Sequence, residues 1–330
     1  ILILDIKDKT MSFETLKWYV VSIFDLLWTL IQVIGAILIA CVEFFYVPPK
    51  DLTGEIVVLT GAAGDIGSNL AKLLANDGCK MVLLDINKSN LLKLCHEINK
   101  TSGNKHDAIS FACDITNIDQ MKDVCGEIKQ KVGDPTMLVN NAGIVAGKYF
   151  HDLEYKDFVR TFEVNMLSNF FLVKQFLPAM IEKEHGHVVS VSSILARKGL
   201  AGVAEYAASK SAVATFMESL RYEIQVAGKK GINCTTVYPY QLDSNLFKGT
   251  AMRFKWVPFL HLLKPEYVAE KIYTAIKKNQ VTLYIPRILY FLVALQNLLP
   301  ERANDILYNF LQANEAMKTF CGTRNVKKSD

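Results

Sequence analysis

Tyr206 and Lys210 stand one helical turn apart, and Ser193 precedes them at the end of an apolar run. Residues four apart share a helix face, which places the ammonium beside the phenol. A tyrosine titrates near ~10 in water, too high for an efficient base at neutral pH, and a neighbouring cation lowers that value. A phenol adjusted in this way exchanges a proton with an alcohol or ketone oxygen while hydride moves at the carbon. A serine hydroxyl donating to the same oxygen stabilises the charge that develops there. An ordinary amphipathic helix face is the alternative for the pair. Ser192 competes with Ser193 for the serine role.

A hydride needs a carrier, and a second group of residues suits one. Thr60-Gly61-Ala62-Ala63-Gly64-Asp65-Ile66-Gly67 follows an apolar β-type run and precedes a helical stripe at Leu70, Leu73 and Leu74. Small residues in such a turn let the backbone approach a pyrophosphate, which then sits at the positive end of the following helix. Glycine-rich turns are common, and the position between strand and helix is what makes this one informative. Asp85 ends the next apolar run, where a carboxylate accepts from both ribose hydroxyls and repels a 2′-phosphate. That favours NAD(H) over NADP(H); a solvated turn residue is the alternative for Asp85.

The elements that must position these groups alternate. Strands are expected at 56–60, 80–84, 108–112, 137–139, 187–191, 232–238 and 281–285, with helical stretches between them. Such alternation requires parallel pairing with right-handed crossovers, an α/β doubly wound sheet of Rossmann type. Ahead of it, residues 26–42 carry no charge and only Thr29 and Gln32 as clearly polar groups, near the lower limit for a membrane-spanning helix. Phe44, Phe45 and Tyr46 follow as an interfacial belt, and Pro48-Pro49 ends the helix. A cleaved signal peptide lacks its small-residue site here, and a buried core helix is the other alternative. Lys+Arg of 37 against Asp+Glu of 33 gives a net charge of +4 with no long basic run, so nucleic acid is not an expected partner. The 51% hydrophobic content suits a lipid-facing segment. Seven scattered cysteines with no C-x-x-C pair argue for a reducing compartment and against a disulfide framework or a zinc site; no metal is expected.

Asp114, Asn140-Asn141-Ala142-Gly143, Asn165, Ser193 and Tyr206-Ala207-Ala208-Ser209-Lys210 follow the glycine turn in order. With that set the chain resembles the short-chain dehydrogenase/reductase family over roughly residues 54–286. The resemblance implies a catalytic tetrad of Asn165, Ser193, Tyr206 and Lys210. Asn165 would position water for a proton relay, and Lys210 would also hold the nicotinamide ribose. It implies cofactor contacts from Gly61, Gly64, Asp65, Ile66, Gly67, Asp85, Asp114, Asn141, Tyr206, Lys210 and Ser244, the last replacing a usual threonine. Leu84-Asp85-Ile86-Asn87-Lys88, Pro239-Tyr240-Gln241-Leu242-Asp243-Ser244, Phe247-Lys248-Gly249 and Tyr284-Ile285-Pro286-Arg287 look like one subfamily. It contains membrane-associated retinol dehydrogenases and 17β-hydroxysteroid dehydrogenases of types 11 and 13. Members carry an N-terminal anchor on endoplasmic reticulum or lipid droplets and pair as homodimers, and both are expected here. The family's usual turn places its middle glycine where this chain has Asp65. A carboxylate aimed at a pyrophosphate would repel it, so Asp65 is expected to point away and cap the helix beginning near Ile66. Residues 247–263 supply Phe247, Met252, Phe254, Trp256, Phe259, Leu260, Leu262 and Leu263, an apolar lid for a lipophilic substrate, with Lys248, Arg253 and Lys255 facing headgroups.

The organisation expected is an N-terminal tail and anchor over 1–50, a dehydrogenase domain over 51–287, and an apolar, then polar, tail over 288–330. The expected activity is NAD-dependent oxidation of a retinol, steroid or fatty alcohol, or the reverse reduction of a ketone. A catalytically weak scaffold on a membrane or lipid droplet is the different-class alternative, favoured only by Asp65. Met11 is the expected start of translation. Lys327-Lys328-Ser329-Asp330 matches a dilysine retrieval signal, which requires a cytosolic C-terminus.

Overall fold

The computed structural model describes residues 13–45, 47–101, 108–250 and 262–321. The chain divides into two compact units, Ile1–Pro49 and Lys50–Asp330. Among the described residues the first holds one helix, α1 (Phe13–Phe45), 33 residues long. Its stretch Glu14–Ile39 is long and apolar enough to cross a membrane. The helix thus begins well before the uncharged core at 26–42, because nothing between Phe13 and Asp25 breaks it. Thr29 donates its hydroxyl to the Asp25 carbonyl at 2.7 Å, which spends the polar group inside the helix. Leu26, Trp28 and Ile37 are all exposed, so the helix is apolar on every side.

The second unit is built on seven parallel strands in the order β3-β2-β1-β4-β5-β6-β7. They are β1 (Ile56–Thr60), β2 (Lys80–Asp85), β3 (Ile109–Ala112), β4 (Met137–Asn140), β5 (Gly186–Val191), β6 (Ile232–Pro239) and β7 (Thr282–Ile285). Each lies within a residue of its expected place at both ends. The helices between them are α2 (Asp65–Asn76), α3 (Lys88–Thr101), α4 (Ile118–Lys131), α5 (Tyr155–Phe162), α6 (Ser168–Glu182), α7 (Ala204–Val226) and α8 (Pro265–Lys277). Strand side chains alternate between two cores, as pleating demands. Val57 and Leu59 pack with Leu70, Leu74, Val268 and Ile272 from α2 and α8. Val58 packs with Met121, Phe176 and Met217 from α4, α6 and α7. Both faces are covered, which explains why the strands read as continuous apolar runs.

The strand order reverses between β1 and β4, and the crevice at their C-terminal ends is where such sheets bind ligands. Beyond Pro286 the expected tail is folded: α9 (Ile288–Leu298) and α10 (Glu301–Leu311) follow β7 within the same compact unit. Leu289 is buried against Tyr238 and Tyr284, which holds α9 to the sheet. Residues 251–261 of the expected lid and the C-terminal lysine pair lie outside the described residues.

Candidate active site

β1 delivers Thr60 to the crevice, and the chain turns at Gly61 with φ +62. A Cβ there would stand 2.9 Å from the Ala142 Cα, and one at Gly67 would stand 2.1 Å from the Gly61 carbonyl oxygen. Only glycine lets the turn lie against β4's exit and α2 lie against the turn. The Thr60 hydroxyl accepts from the Asn141 and Ala142 amides at 3.0 and 3.1 Å, and Asn141 Nδ2 donates to the Thr60 and Gly61 carbonyls at 3.1 Å. Asn141 therefore ties the two crevice walls together. The resulting groove, about 530 Å³, is lined by Gly61, Gly64, Asp65, Ile66, Asp85, Asp114, Asn141 and Ser244 among others.

The acids around it differ in their commitments. Asp85 Oδ2 accepts from the Ala63 amide at 2.9 Å and Oδ1 from the Asn87 amide at 2.8 Å, so it fixes the glycine turn as well as facing the groove. Asp114 Oδ1 accepts from the Thr116 amide and hydroxyl, while Oδ2 pairs with Arg160 Nη2 at 2.8 Å. These contacts hold the Asp114 carboxyl below the usual carboxylate range although its partial burial pushes the other way. Asp65 does not cap α2. Gly64 is the N-cap and Asp65 the first helical residue, one position too late for its carboxylate to reach the second or third amide as a cap does. Its Oδ2 instead accepts from the Asn245 amide at 3.0 Å, and its Oδ1 from Asn245 Nδ2 at 3.4 Å.

At the other end of the groove α7 presents Tyr206 and Lys210, both buried. Lys210 Nζ donates to the Val191 carbonyl at 2.8 Å and lies 5.8 Å from the Tyr206 ring centroid. Burial pulls the Lys210 ammonium down to about 8. Burial also pushes the Tyr206 phenol up to about 12, and a hydrogen bond with the Ser193 hydroxyl draws it partly back. The lowering expected from Lys210 does not appear in the protein alone: desolvation penalises the phenolate, and the only opposing pull is the Ser193 bond. Ser192 donates its hydroxyl to the Lys210 carbonyl at 2.8 Å, which leaves Ser193 as the serine beside Tyr206.

Asn165 lies in a π-helical turn, Glu163–Leu167, between α5 and α6. Its Oδ1 accepts from the Ile144 amide at 2.8 Å, and its Nδ2 donates to the Ile144 carbonyl at 3.0 Å and to Ser209 Oγ at 2.9 Å. Ser209 Oγ donates in turn to the Tyr206 carbonyl at 2.7 Å. The side chain expected to position water is engaged with protein, and it fixes the α7 backbone at Tyr206 relative to the loop after β4. Glu205, which sequence reasoning passed over, supports that loop from the other side: its Oε1 accepts from the Ala146 amide at 2.9 Å. An acid placed directly before the tyrosine, among small residues, was the available signal.

A separate apolar cavity of about 200 Å³ opens at Ser193 and Tyr206. Leu289, Leu292 and Val293 of α9 and Tyr308 and Leu311 of α10 wall it, with Leu200 and Met317. Phe247 lines both cavity and groove, its ring edge-on to Tyr206 with centroids 5.5 Å apart. The phenol therefore stands where the two spaces meet.

A family signature described as short chain dehydrogenase matches residues 55–253. Epidermal retinol dehydrogenase 2 of Homo sapiens is 36% identical over 273 residues, covering 83% of this chain and 87% of that protein. Retinol dehydrogenase 10-B of Xenopus laevis is 32% identical over 316 residues, covering 89% and 93%. Among solved structures, a short chain dehydrogenase/reductase from Burkholderia phymatum in complex with NAD superposes with a TM-score of 0.66. It shares 22% identity and covers 75% of this chain and 94% of that one, a likeness of fold.

Proposed function

Since the chain belongs to the short-chain dehydrogenase family, an oxidoreductase family acting on CH–OH groups, we propose that it oxidises a lipophilic alcohol with NAD at a membrane surface. The alcohol is of the retinol, steroid or fatty-alcohol class. The observation that carries this reading is the apolar cavity of about 200 Å³ that meets the dinucleotide-sized groove at Tyr206. A chain of carbon atoms fills such a cavity at a gain of about 0.8 kcal/mol per buried methylene, and only an alcohol oxygen at its mouth needs polar partners. The names of the retinol dehydrogenases of similar sequence support the same class.

The groove's residues fit a dinucleotide. The close approach at Gly61 and Gly67 leaves room for phosphates against the first amides of α2, and Asp85 stands at the end of β2 for the ribose. A bound nicotinamide dinucleotide would supply the hydride acceptor, and its positive charge would favour the Tyr206 phenolate against the desolvation that holds the phenol up. Once its own proton has left to solvent, Tyr206 would take the proton of the substrate hydroxyl, with Ser193 donating to the same oxygen and Lys210 holding the cofactor ribose. Asn165 maintains the spacing between the Tyr206 backbone and the loop after β4. The Asp65 carboxylate, the one ground for a non-catalytic scaffold, is turned to Asn245. We further propose that α1 fixes the chain to endoplasmic reticulum or lipid droplet, with the catalytic unit in the cytosol as a homodimer.

The test is a panel of retinol, steroid and long-chain alcohols against NAD and NADP with purified protein. Turnover of at least one lipophilic alcohol with NAD is expected. NADP preference, or activity confined to short water-soluble alcohols, would refute the assignment.

A further inference from the structure

Asp65 and Asn245 lie 180 residues apart in sequence and face each other across the mouth of the groove. Asp65 belongs to the phosphate side, as the first residue of α2. Asn245 belongs to the substrate side, in a strap that runs from Ser244 through the short helical turn Asn245–Phe247. The same strap carries Phe247, whose ring touches Tyr206 edge-on. Two bonds therefore connect the turn that would hold a pyrophosphate to the segment that shapes the reacting end.

The electrostatics give these bonds a purpose beyond closure. The first amides of α2 have no intrahelical acceptors and carry the positive end of the helix dipole, so they attract an anion. A carboxylate free to swing at the first helical position repels any phosphate that occupies those amides. Two donors from Asn245, one of them a backbone amide, aim both carboxylate oxygens at the strap instead.

Building on the assignment of the groove to NAD, we propose that the Asp65–Asn245 pair is a clasp. It holds the Asp65 carboxylate off the pyrophosphate position by fixing both its oxygens to the Ser244–Phe247 strap. Asp65 and Asn245 are thus positioning residues for cofactor binding. In a chain with glycine in the place of Asp65 no such clasp is needed, and the strap is free of the phosphate turn.

Asn245→Pro breaks both bonds at once, because proline lacks the amide hydrogen and the side-chain donor. The position tolerates it: Asn245 opens the 3-10 turn, where a fixed φ suits, and Ser244 before it is already extended at φ −143, ψ 159. The experiment titrates NADH fluorescence against the full-length protein in detergent, as wild type, Asn245→Pro, Asp65→Gly and the double variant. Adenosine, which carries no phosphate, is titrated as a competitor in each. Asn245→Pro is expected to weaken NADH about tenfold or more by freeing a charge beside the phosphates, with adenosine unchanged. Asp65→Gly is expected to bind NADH at least as well as wild type, and adding Asn245→Pro to it should cost nothing further. Equal NADH affinity for wild type and Asn245→Pro would overturn the clasp. So would a loss that persists in the double variant or extends to adenosine, since either marks collapse of the strap. If wild type and Asp65→Gly both fail to bind NADH, the NAD assignment itself is wrong and the clasp falls with it.

Discussion

Tyr206 is buried in protein on every side except the junction of cavity and groove, and that burial explains both its suitability and its dependence on neighbours. A phenol pushed up to about 12 is protonated at neutral pH in the protein alone, so under the proposed mechanism proton exchange awaits the loaded site. Tyr206→Phe removes the exchangeable proton and little volume; it should cut kcat by orders of magnitude while NADH still binds, as steady-state kinetics beside a fluorescence titration would show. Lys210 offers a sharper test through pH. Its ammonium, drawn by burial to about 8 from 10.5, is charged in the folded and unfolded states alike below pH 8, and the burial penalty is then complete. Between pH 8 and 10.5 the folded protein releases this proton first, so stability contributed at this site rises with pH. Lys210→Met should therefore be inactive yet more stable at pH 7, by at most about 3 kcal/mol, with the gain gone near pH 10.5. Denaturation midpoints at the two pH values check it; a variant less stable than wild type at pH 7 would mean that the bond to Val191 outweighs the charge. Asp85→Ala should raise KM for NAD and lower it for NADP, measured on the same preparation. The order and spacing of these residues were legible because helix periodicity places Tyr206 and Lys210 on one face whatever the rest of the fold does. The protonation balance was not legible, since it depends on burial contributed by segments far away in sequence.

Among the elements, the strands were the most legible, because a sheet covered on both faces demands unbroken apolar runs such as Val57–Leu59 and Val188–Val189. α2 begins at Asp65, one residue before the start expected near Ile66, because Gly64 rather than Asp65 serves as its N-cap. The role of α9 and α10 was hidden for a different reason. An apolar helix after the last strand reads as a tail, and only the fold-back that buries Leu289 shows that Leu292 and Val293 face a cavity. If the cavity holds the alcohol as proposed, α9 sets its chain-length selectivity. Leu292→Trp should fill part of the roughly 200 Å³ space, raise KM for long-chain alcohols several-fold and leave short-chain alcohols nearly unaffected. A uniform loss across chain lengths would instead indicate that α9 had shifted from the sheet.

At the scale of the whole molecule, the chain is two compact units of opposite solvent preference. One is a 33-residue helix apolar on every side, and the other an α/β body with water-exposed charged pairs such as Lys122–Asp119 and Lys131–Glu127. A stretch as long as Glu14–Ile39 exceeds the roughly 20 residues a bilayer core requires, which supports the proposed attachment through α1. Deleting residues 1–47 should therefore move much of the protein from the membrane pellet to the supernatant after carbonate-free fractionation. The α/β unit has a lipophilic surface of its own, however: Phe291 and Leu298 on α9 and Phe310 on α10 are exposed. Each exposed aliphatic or aromatic side chain entering an interface contributes about 1.5–3 kcal/mol, so these side chains together could retain a fraction of the truncated protein. The two attachments are separable. Truncation combined with Phe291→Ser and Phe310→Ser should release what truncation alone leaves behind, whereas the two serine substitutions in the full-length chain should leave the protein in the pellet. Full release by truncation alone would assign attachment to α1 entirely, and undiminished pelleting of the triple variant would show that the membrane is held by neither surface.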